Sequence, residues 1–314
     1  MKKNISLVVP VLNEAKNIPV LYEQIRKATP GVDCQIVFVD DGSTDETFSI
    51  LKEISEKDPA LKVVRLRKNF GKAVAYSAGF LNSTGDIVVT MDGDLQDDPG
   101  EIHKFISKID EGYDLVNGWK YRGKGRLDKA VASRIFNRIT SFLTGIKLHD
   151  FNCPFKAFKR EVIEDLNIYG DLFRFIPVLV NEKGYRIGEV KIENHLRRYG
   201  KTKYKFSRYF RTLLDLITVI FLTKFRRSPL YLFGSIGMTM FISGFSVDLY
   251  LSLQKVLYGL KLSEQPLLFL GILLMIIGAQ FISIGLIMEM MVNLFHEKNK
   301  VSSFIKETLN KGRV

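Results

Sequence analysis

Two apolar runs near the carboxyl end constrain the fold of this chain more than any other feature. Residues 229 to 253, PLYLFGSIGMTMFISGFSVDLYLSL, and residues 265 to 295, QPLLFLGILLMIIGAQFISIGLIMEMMVNLF, both exceed the ~20 helical residues that cross a hydrocarbon core. Asp248 is the one charge of the first run, and Gln280 and Glu289 interrupt the second. Lys224, Arg226 and Arg227 precede the pair and Lys298, Lys300 and Lys306 follow it, whereas the short connection offers Lys255 and Lys261 against Glu264. This asymmetry predicts an integral membrane protein with two spans and with both termini and the preceding domain on the cytoplasmic side. Between Lys203 and Arg227 basic residues mix with Phe, Tyr, Leu and Ile, a pattern that suits helices lying on the bilayer surface. The expected organisation is a catalytic-type domain over 1–204, interface helices over 205–228, two transmembrane helices over 229–295 and a basic tail over 296–314.

The first two hundred residues read differently. Short β-branched runs, ISLVVPV, QIVFVD, KVVRL, DIVVTMD and DLVNG, alternate with helical patterns near residues 17–28, 44–57, 71–82 and 100–111. Such alternation predicts an α/β fold with a mostly parallel sheet covered on both faces, and sheets of that kind bind ligands at the carboxyl ends of their strands. Past residue 150, FKAFKREV and a strand at YRIGEVKIENHLR are expected to complete the sheet. The chain of 314 residues is 46% hydrophobic with nine prolines, which excludes a disordered or low-complexity protein. Two cysteines, Cys34 and Cys153, exclude a disulfide framework and fit a reducing compartment. The net charge of +12 is concentrated beside the spans, which favours anionic lipid over nucleic acid as its partner.

The strand ends carry the chemistry. After the first strand the chain has Pro10, Val11, Leu12, Asn13 and Glu14 where a dinucleotide-binding turn would have G-x-G-x-x-G, so a dinucleotide cofactor is not expected. The second strand ends Asp40-Asp41-Gly42-Ser43-Thr44-Asp45. Either its carboxylates accept hydrogen bonds from a base or ribose, or they cap a tight turn. The fourth strand ends Met91-Asp92-Gly93-Asp94-Leu95-Gln96-Asp97-Asp98, four carboxylates within seven residues that repel one another unless a cation joins them. Asp92, Asp94 and Gln96 are hard oxygen donors suited to Mg²⁺ or Mn²⁺ on a nucleotide diphosphate, and a solvated acidic turn is the alternative.

VVPVLNEAKNI, VDDGSTDET, RKNFGKAVA, MDGDLQDDP, HDFNCPFKAFKREV and RRYGKTKY, spread from Val8 to Tyr204, together resemble the family 2 glycosyltransferases. The resemblance is to the branch that includes dolichyl-phosphate mannose synthases and bacterial polyprenyl-phosphate glycosyltransferases. It implies a GT-A fold, a nucleotide-sugar donor and a divalent metal. Pro10, Asn13, Glu14 and Asp41 would line the nucleotide pocket, with Asp92 and Lys203 completing it, and Asp92, Asp94 and Gln96 would hold the metal. Arg197, Gly200, Thr202 and Lys203 match the family's Arg-x-x-Gly-x-Ser-Lys segment near the phosphates. Lys129, Ser133 and Thr202 would hold the acceptor phosphate. Asp94, Asp150 and Arg197 are the expected catalytic groups. Pro154 departs from the family's usual Gly, and proline removes a backbone N–H at that point.

The expected reaction is inverting transfer of one sugar, UDP-glucose being the favoured donor, to a polyprenyl phosphate at the cytoplasmic face. Such a phosphomonoester already carries between one and two negative charges near pH 7 and needs little help from a base. It needs positioning, charge neutralisation and stabilisation of the departing diphosphate. A processive polysaccharide synthase would require a Gln-x-x-Arg-Trp segment, which is missing, as Trp119 is the only tryptophan. A non-catalytic scaffold would not need Asp92, Asp94 and Gln96 together. The resemblance also implies a homo-oligomer, a tetramer among the forms expected, and Gly234, Gly237, Gly244, Gly271, Gly278 and Gly285 would let spans pack closely.

Overall fold

The computed structural model describes residues 4–121, 127–166, 168, 170, 172–193, 195, 207–225, 228–259, 261 and 265–298. Its first half follows the alternation of the sequence: β1 (Ile5–Val11), α1 (Ile18–Ala28), β2 (Cys34–Asp40), α2 (Thr47–Lys57), β3 (Leu61–Arg65), α3 (Lys72–Asn82), β4 (Ile87–Thr90), α4 (Ile102–Asp110) and β5 (Leu115–Tyr121). An 18-residue helix, α5 (Leu127–Thr144), then intervenes before β6 (Lys156–Lys159), α6 (Arg160–Asp165), α7 (Ile176–Glu182) and β7 (Ile187–Glu193). Helices α8 (Ser207–Lys224), α9 (Pro229–Tyr258) and α10 (Pro266–Lys298) complete the described chain. It divides into two compact units, Met1–Val219 and Ile220–Val314.

In the first unit the seven strands form one sheet in the order β3-β2-β1-β4-β6-β5-β7. β1 pairs in parallel with β2 and β4, β2 with β3, and β5 with β7, while β6 runs antiparallel between β4 and β5. The central strands are buried on both faces, which is why they read as nearly continuous apolar runs. On one face Leu7, Val9, Phe38 and Val89 pack with Ile18, Leu21 and Ile25 of α1 and with Ile102, Phe105 and Ile109 of α4. Helical spacing puts each of those triplets on one stripe, and burying such a side chain stabilises by about 1.5–3 kcal/mol. On the other face Val8, Val37, Val39 and Val88 meet Tyr76 and Phe80 of α3 and Ile176 and Val180 of α7. The reversal at β6 has a topological result: its first residue, Lys156, lies opposite Thr90 at the carboxyl end of β4. The loop entering β6 therefore arrives at the edge where the parallel strands end.

The second unit is built on α9 and α10, two helices long and apolar enough to cross a membrane, which form an antiparallel hairpin. Four of the glycines expected to permit close packing do so inside this hairpin. A Cβ on Gly237 would lie 2.6 Å from the carbonyl of Gly278, one on Gly278 would lie 2.6 Å from the carbonyl of Gly237, and one on Gly244 would meet the carbonyl of Gly271. The seven-residue spacing within each helix keeps these contacts on one seam. The carboxylate of Asp248 lies over Gly271, in space that a side chain there would fill. At the other end of the hairpin Glu289 Oε2 accepts the backbone N–H of Leu230 at 3.3 Å. This satisfies one of the amides that every helix leaves open in its first turn, with a charge of the favourable sign.

Candidate active site

The carboxyl ends of β1 and β2 are tied to each other by short polar residues. Asn13 has a left-handed backbone (φ 54°), which asparagine tolerates better than most residues. Its side-chain oxygen accepts the N–H of Thr44 at 2.8 Å, while its own N–H donates to Ser43 Oγ at 2.9 Å. The N–H of Glu14 donates to Thr47 Oγ1 at 2.9 Å, and Glu14 Oε2 accepts from the Asn17 side chain. Pro10 lies in β1 itself, in register with Val39 of β2. The two aspartates at the end of β2, Asp40 and Asp41, then part company. Asp40 caps the turn by accepting the N–H of Ser43 at 2.9 Å. Asp41 accepts from the N–H groups of Phe70 at 2.8 Å and Gly71 at 3.0 Å, and so shapes the loop before α3. Burial pushes its pKa up against the pull of those two donors. Pro10, Asn13, Glu14 and Asp41 thus gather at one corner of the strand ends.

Next to them, beyond β4, lies the acidic turn. Two ammonium groups of the chain itself relieve its crowded carboxylates. Lys72, at the start of α3, pairs with Asp92, and Lys120 of β5 pairs with Asp97 at 2.6 Å. Lys120 and Asp97 are almost wholly buried. Burial opposes the charge on Lys120, but Asp97, Cys153 and Asp92 together outweigh it and raise the amine above the ordinary lysine range. Asp97 also accepts the N–H of Asp92 at 3.3 Å, and Asp94 Oδ1 accepts the N–H of Gln96 at 3.2 Å. Asp97 is therefore a brace for the turn, and Asp92 and Asp94 remain as its hard oxygen donors. Among the described residues no group of three or more His, Cys, Asp and Glu is arranged to hold a metal. Mg²⁺ needs no such cage, because it is commonly held by one or two carboxylates with phosphate and water completing its shell. The donor set fits that mode, and Asp92 and Asp94 would be the residues to hold such a cation.

The third component is the loop 149–155, which enters β6. Asp150 Oδ1 accepts the N–H of Asn152 at 3.2 Å, so this carboxylate does cap its own loop. Its peptide groups are held from two strands, the C=O by Asn117 Nδ2 at 2.6 Å and the N–H by Glu189 Oε1 at 3.3 Å. Glu189 also accepts the N–H of His149 at 2.9 Å and lies 2.6 Å from His149 Nδ1. The His149 ring stacks on Trp119, with centroids 3.9 Å apart. At Pro154 the missing N–H is not needed: the loop presents carbonyls inward. Pro154 O accepts from Thr90 Oγ1 at 2.8 Å and Phe155 O from the N–H of Gly118 at 2.9 Å.

Lys156, fully buried, donates to Asn117 Oδ1 at 2.5 Å, to Phe151 O at 3.3 Å and to Cys153 O. Burial lowers its amine to about 8. From about pH 8 up to the ordinary lysine value of 10.5 the unfolded chain then holds a proton that the folded chain has released, so stability rises with pH across that window. Relative to Lys156→Met, the full-length protein is expected to gain up to about 1.4 kcal/mol per pH unit there. Unfolding midpoints of both proteins between pH 7 and pH 10.5 check this. A constant difference would show that the three acceptors keep the amine charged.

The structure thus brings Pro10, Asn13, Glu14, Asp41, Asp92, Asp94, Gln96 and Asp150 to one edge of the sheet. Lys129 and Ser133 fall on α5, although their side chains are outside the described set, and Arg197, Gly200, Thr202 and Lys203 lie outside the described residues altogether. Sequence reasoning missed Lys72, Asn117, Asn137 and Glu189, and it did not foresee that Lys120 and Lys156 are buried, the first against Asp97. The available signal was polar residues inside otherwise apolar strands, as in LVNGWKY and FKAFK.

Comparison with known proteins gives a consistent result. The model of the family described as "Glycosyl transferase family 2" matches residues 6–166. Dodecaprenyl-phosphate galacturonate synthase of Rhizobium johnstonii is 33% identical over 308 residues, covering 96% of this chain and 91% of the relative. Undecaprenyl-phosphate 4-deoxy-4-formamido-L-arabinose transferase of an Enterobacter species is 33% identical over 318 residues, covering 99% and 95%. Among solved structures, glucosyl-3-phosphoglycerate synthase of Mycobacterium tuberculosis, in complex with Mn²⁺, UDP-glucose and phosphoglyceric acid, superposes with a TM-score of 0.55. That match has 22% identity and covers 69% of this chain and 80% of that one, and it identifies the sheet as of GT-A type.

Proposed function

The chain belongs to glycosyl transferase family 2 and is a polyprenyl-phosphate glycosyltransferase, and from that premise we propose inverting transfer of a single sugar from a nucleotide donor to polyprenyl phosphate at the cytoplasmic membrane face. The observation that carries the reading is the meeting, on one sheet edge, of the acidic turn 92–97 and the Asp150 loop, in a chain that also has two helices apolar enough to span a bilayer. Pro10, Asn13, Glu14 and Asp41 would bound the nucleotide, and Asp92 and Asp94, with Gln96, would hold Mg²⁺ or Mn²⁺. The metal, when bound, neutralises charge on the departing diphosphate. Lys72 would then turn from Asp92 to the phosphates. The acceptor phosphate would approach along α5, where Lys129 and Ser133 lie, with Arg197, Thr202 and Lys203 as further anion-binding groups.

Asp150 would face the reacting oxygen and orient it. The acceptor is an anion, so orientation rather than proton removal is the task of that carboxylate. Helix α5 carries Ile135, Ile139 and Phe142 exposed at helical spacing, with Arg134 and Arg138 beside them, and such a face suits the surface of an anionic bilayer. Association of copies, as a tetramer or another homo-oligomer, would use the outward faces of α9 and α10, because the glycine seam is occupied within the hairpin.

The relatives' names carry galacturonate and 4-deoxy-4-formamido-L-arabinose, and the donor favoured for this chain is UDP-glucose. The test is transfer of labelled sugar into the organic phase by the purified protein, with polyprenyl phosphate, Mg²⁺ or Mn²⁺ and nucleotide-linked glucose, galacturonate and formamido-arabinose supplied separately. A cation-dependent lipid product of inverted anomeric configuration from one donor is the expected result. Nucleotide binding without a lipid product from any donor would overturn the reading.

A further inference from the structure

The loop carrying Asp150 is gripped by α5 as well as by the strands. Asn137, nearly buried, donates from Nδ2 to the C=O of His149 at 2.7 Å and accepts at Oδ1 from the N–H of Phe151 at 3.4 Å. Its amide therefore pairs with the backbone on both sides of Asp150, much as a neighbouring strand would. One turn further along α5, Ser141 Oγ donates to the C=O of Leu148 at 3.4 Å. With Asn117 and Glu189 on the peptide groups of Asp150 itself, the segment 148–151 has its backbone fixed from three elements. An amide is the only short side chain that donates and accepts side by side, so neither Asp nor Ala can replace it in this role.

The position of Asn137 on α5 gives this grip a purpose. Residues 129, 133, 137 and 141 fall on one i, i+4 row of the helix. The row that holds the loop is thus the row on which the acceptor-side positions 129 and 133 lie. We infer that Asn137 is a positioning residue that ties the acceptor-side helix to Asp150, so that the carboxylate takes its working place only when α5 is in register with the loop. The inference rests on the roles proposed above for Asp150 and α5. Displacements of about 1 Å at a reacting centre cost on the order of a hundredfold in rate, so two hydrogen bonds of this kind can govern turnover without governing the fold.

A double-mutant cycle on the full-length protein tests it. Asn137→Ala and the nearly isosteric Asn137→Asp are each combined with Asp150→Asn. The turnover number kcat and the acceptor KM are measured in the transfer assay, and binding of UDP and of GDP with Mn²⁺ is measured alongside. Both Asn137 variants are expected to lower kcat about 30-fold, with acceptor KM and nucleotide binding within about twofold of the parent. On the Asp150→Asn background the same substitutions should cost less than about threefold more, because the group they position is already gone. An equal factor on both backgrounds, or nucleotide binding that falls together with kcat, overturns the inference, since a general loss of structure would act that way. Asp150→Asn with parental turnover would instead remove Asp150 from the reaction, a result read without any Asn137 variant.

Discussion

Replacing Asp94 by asparagine is expected to lower sugar transfer at least about a thousandfold while leaving the unfolding midpoint within ~2 °C of the parent. Asp94 is buried in the turn after β4, and its Oδ1 accepts the N–H of Gln96, a bond that an asparagine oxygen can keep. The substitution therefore exchanges a charged oxygen for an amide group of nearly the same shape. Holding a divalent cation on a leaving diphosphate is the use proposed for that charge. Binding of Mn²⁺ together with nucleotide should weaken in parallel. Transfer above a tenth of the parental rate would exclude Asp94 as a metal ligand.

Lys120→Ala is expected to act on stability instead, and strongly. It strips the partner from Asp97, whose carboxylate is wholly buried. Breaking a buried pair by removing one member typically costs about 3–5 kcal/mol, because the charge left behind has lost its water as well as its partner. For a domain of this size that corresponds to a fall of ~10 °C in midpoint. Lys120→Met combined with Asp97→Leu should recover most of it, since a buried pair replaced by apolar groups is often neutral. Thermal unfolding of the three proteins in detergent checks this. A single variant as stable as the parent would mean that water reaches Asp97. The double variant should still transfer slowly, because Asp97 also holds the N–H of Asp92 and with it the orientation of the turn.

These two residues mark the limit of what the sequence discloses. The strands Ile5–Val11 and Cys34–Asp40 and the helices near 18–28 and 72–82 were legible because β-branched runs, apolar stripes and turn residues are local signals. Asp92 and Asp94 were legible because a cluster of like charges at a strand end is conspicuous by itself. Lys120 was not, since its importance lies in a carboxylate 23 positions away that only the pairing of strands brings near. Asn117 and Asn137 escaped for the same reason: their partners in the 149–151 segment are 33 and 12 positions distant. The direction of β6 depends on its pairing with Thr90 and Asn117, and no local pattern encodes it. Asp41 shows the converse. Its carboxylate was visible, yet its engagement with Phe70 and Gly71 depends on where the loop before α3 comes to rest.

The reversed strand also bears on how such proteins diversify. Because β6 is antiparallel, the excursion between β5 and β6 leaves from and returns to a single edge of the sheet, and the four strands β3-β2-β1-β4 are complete without it. Lengthening, shortening or exchanging that excursion would leave the pairing of those four strands as it is.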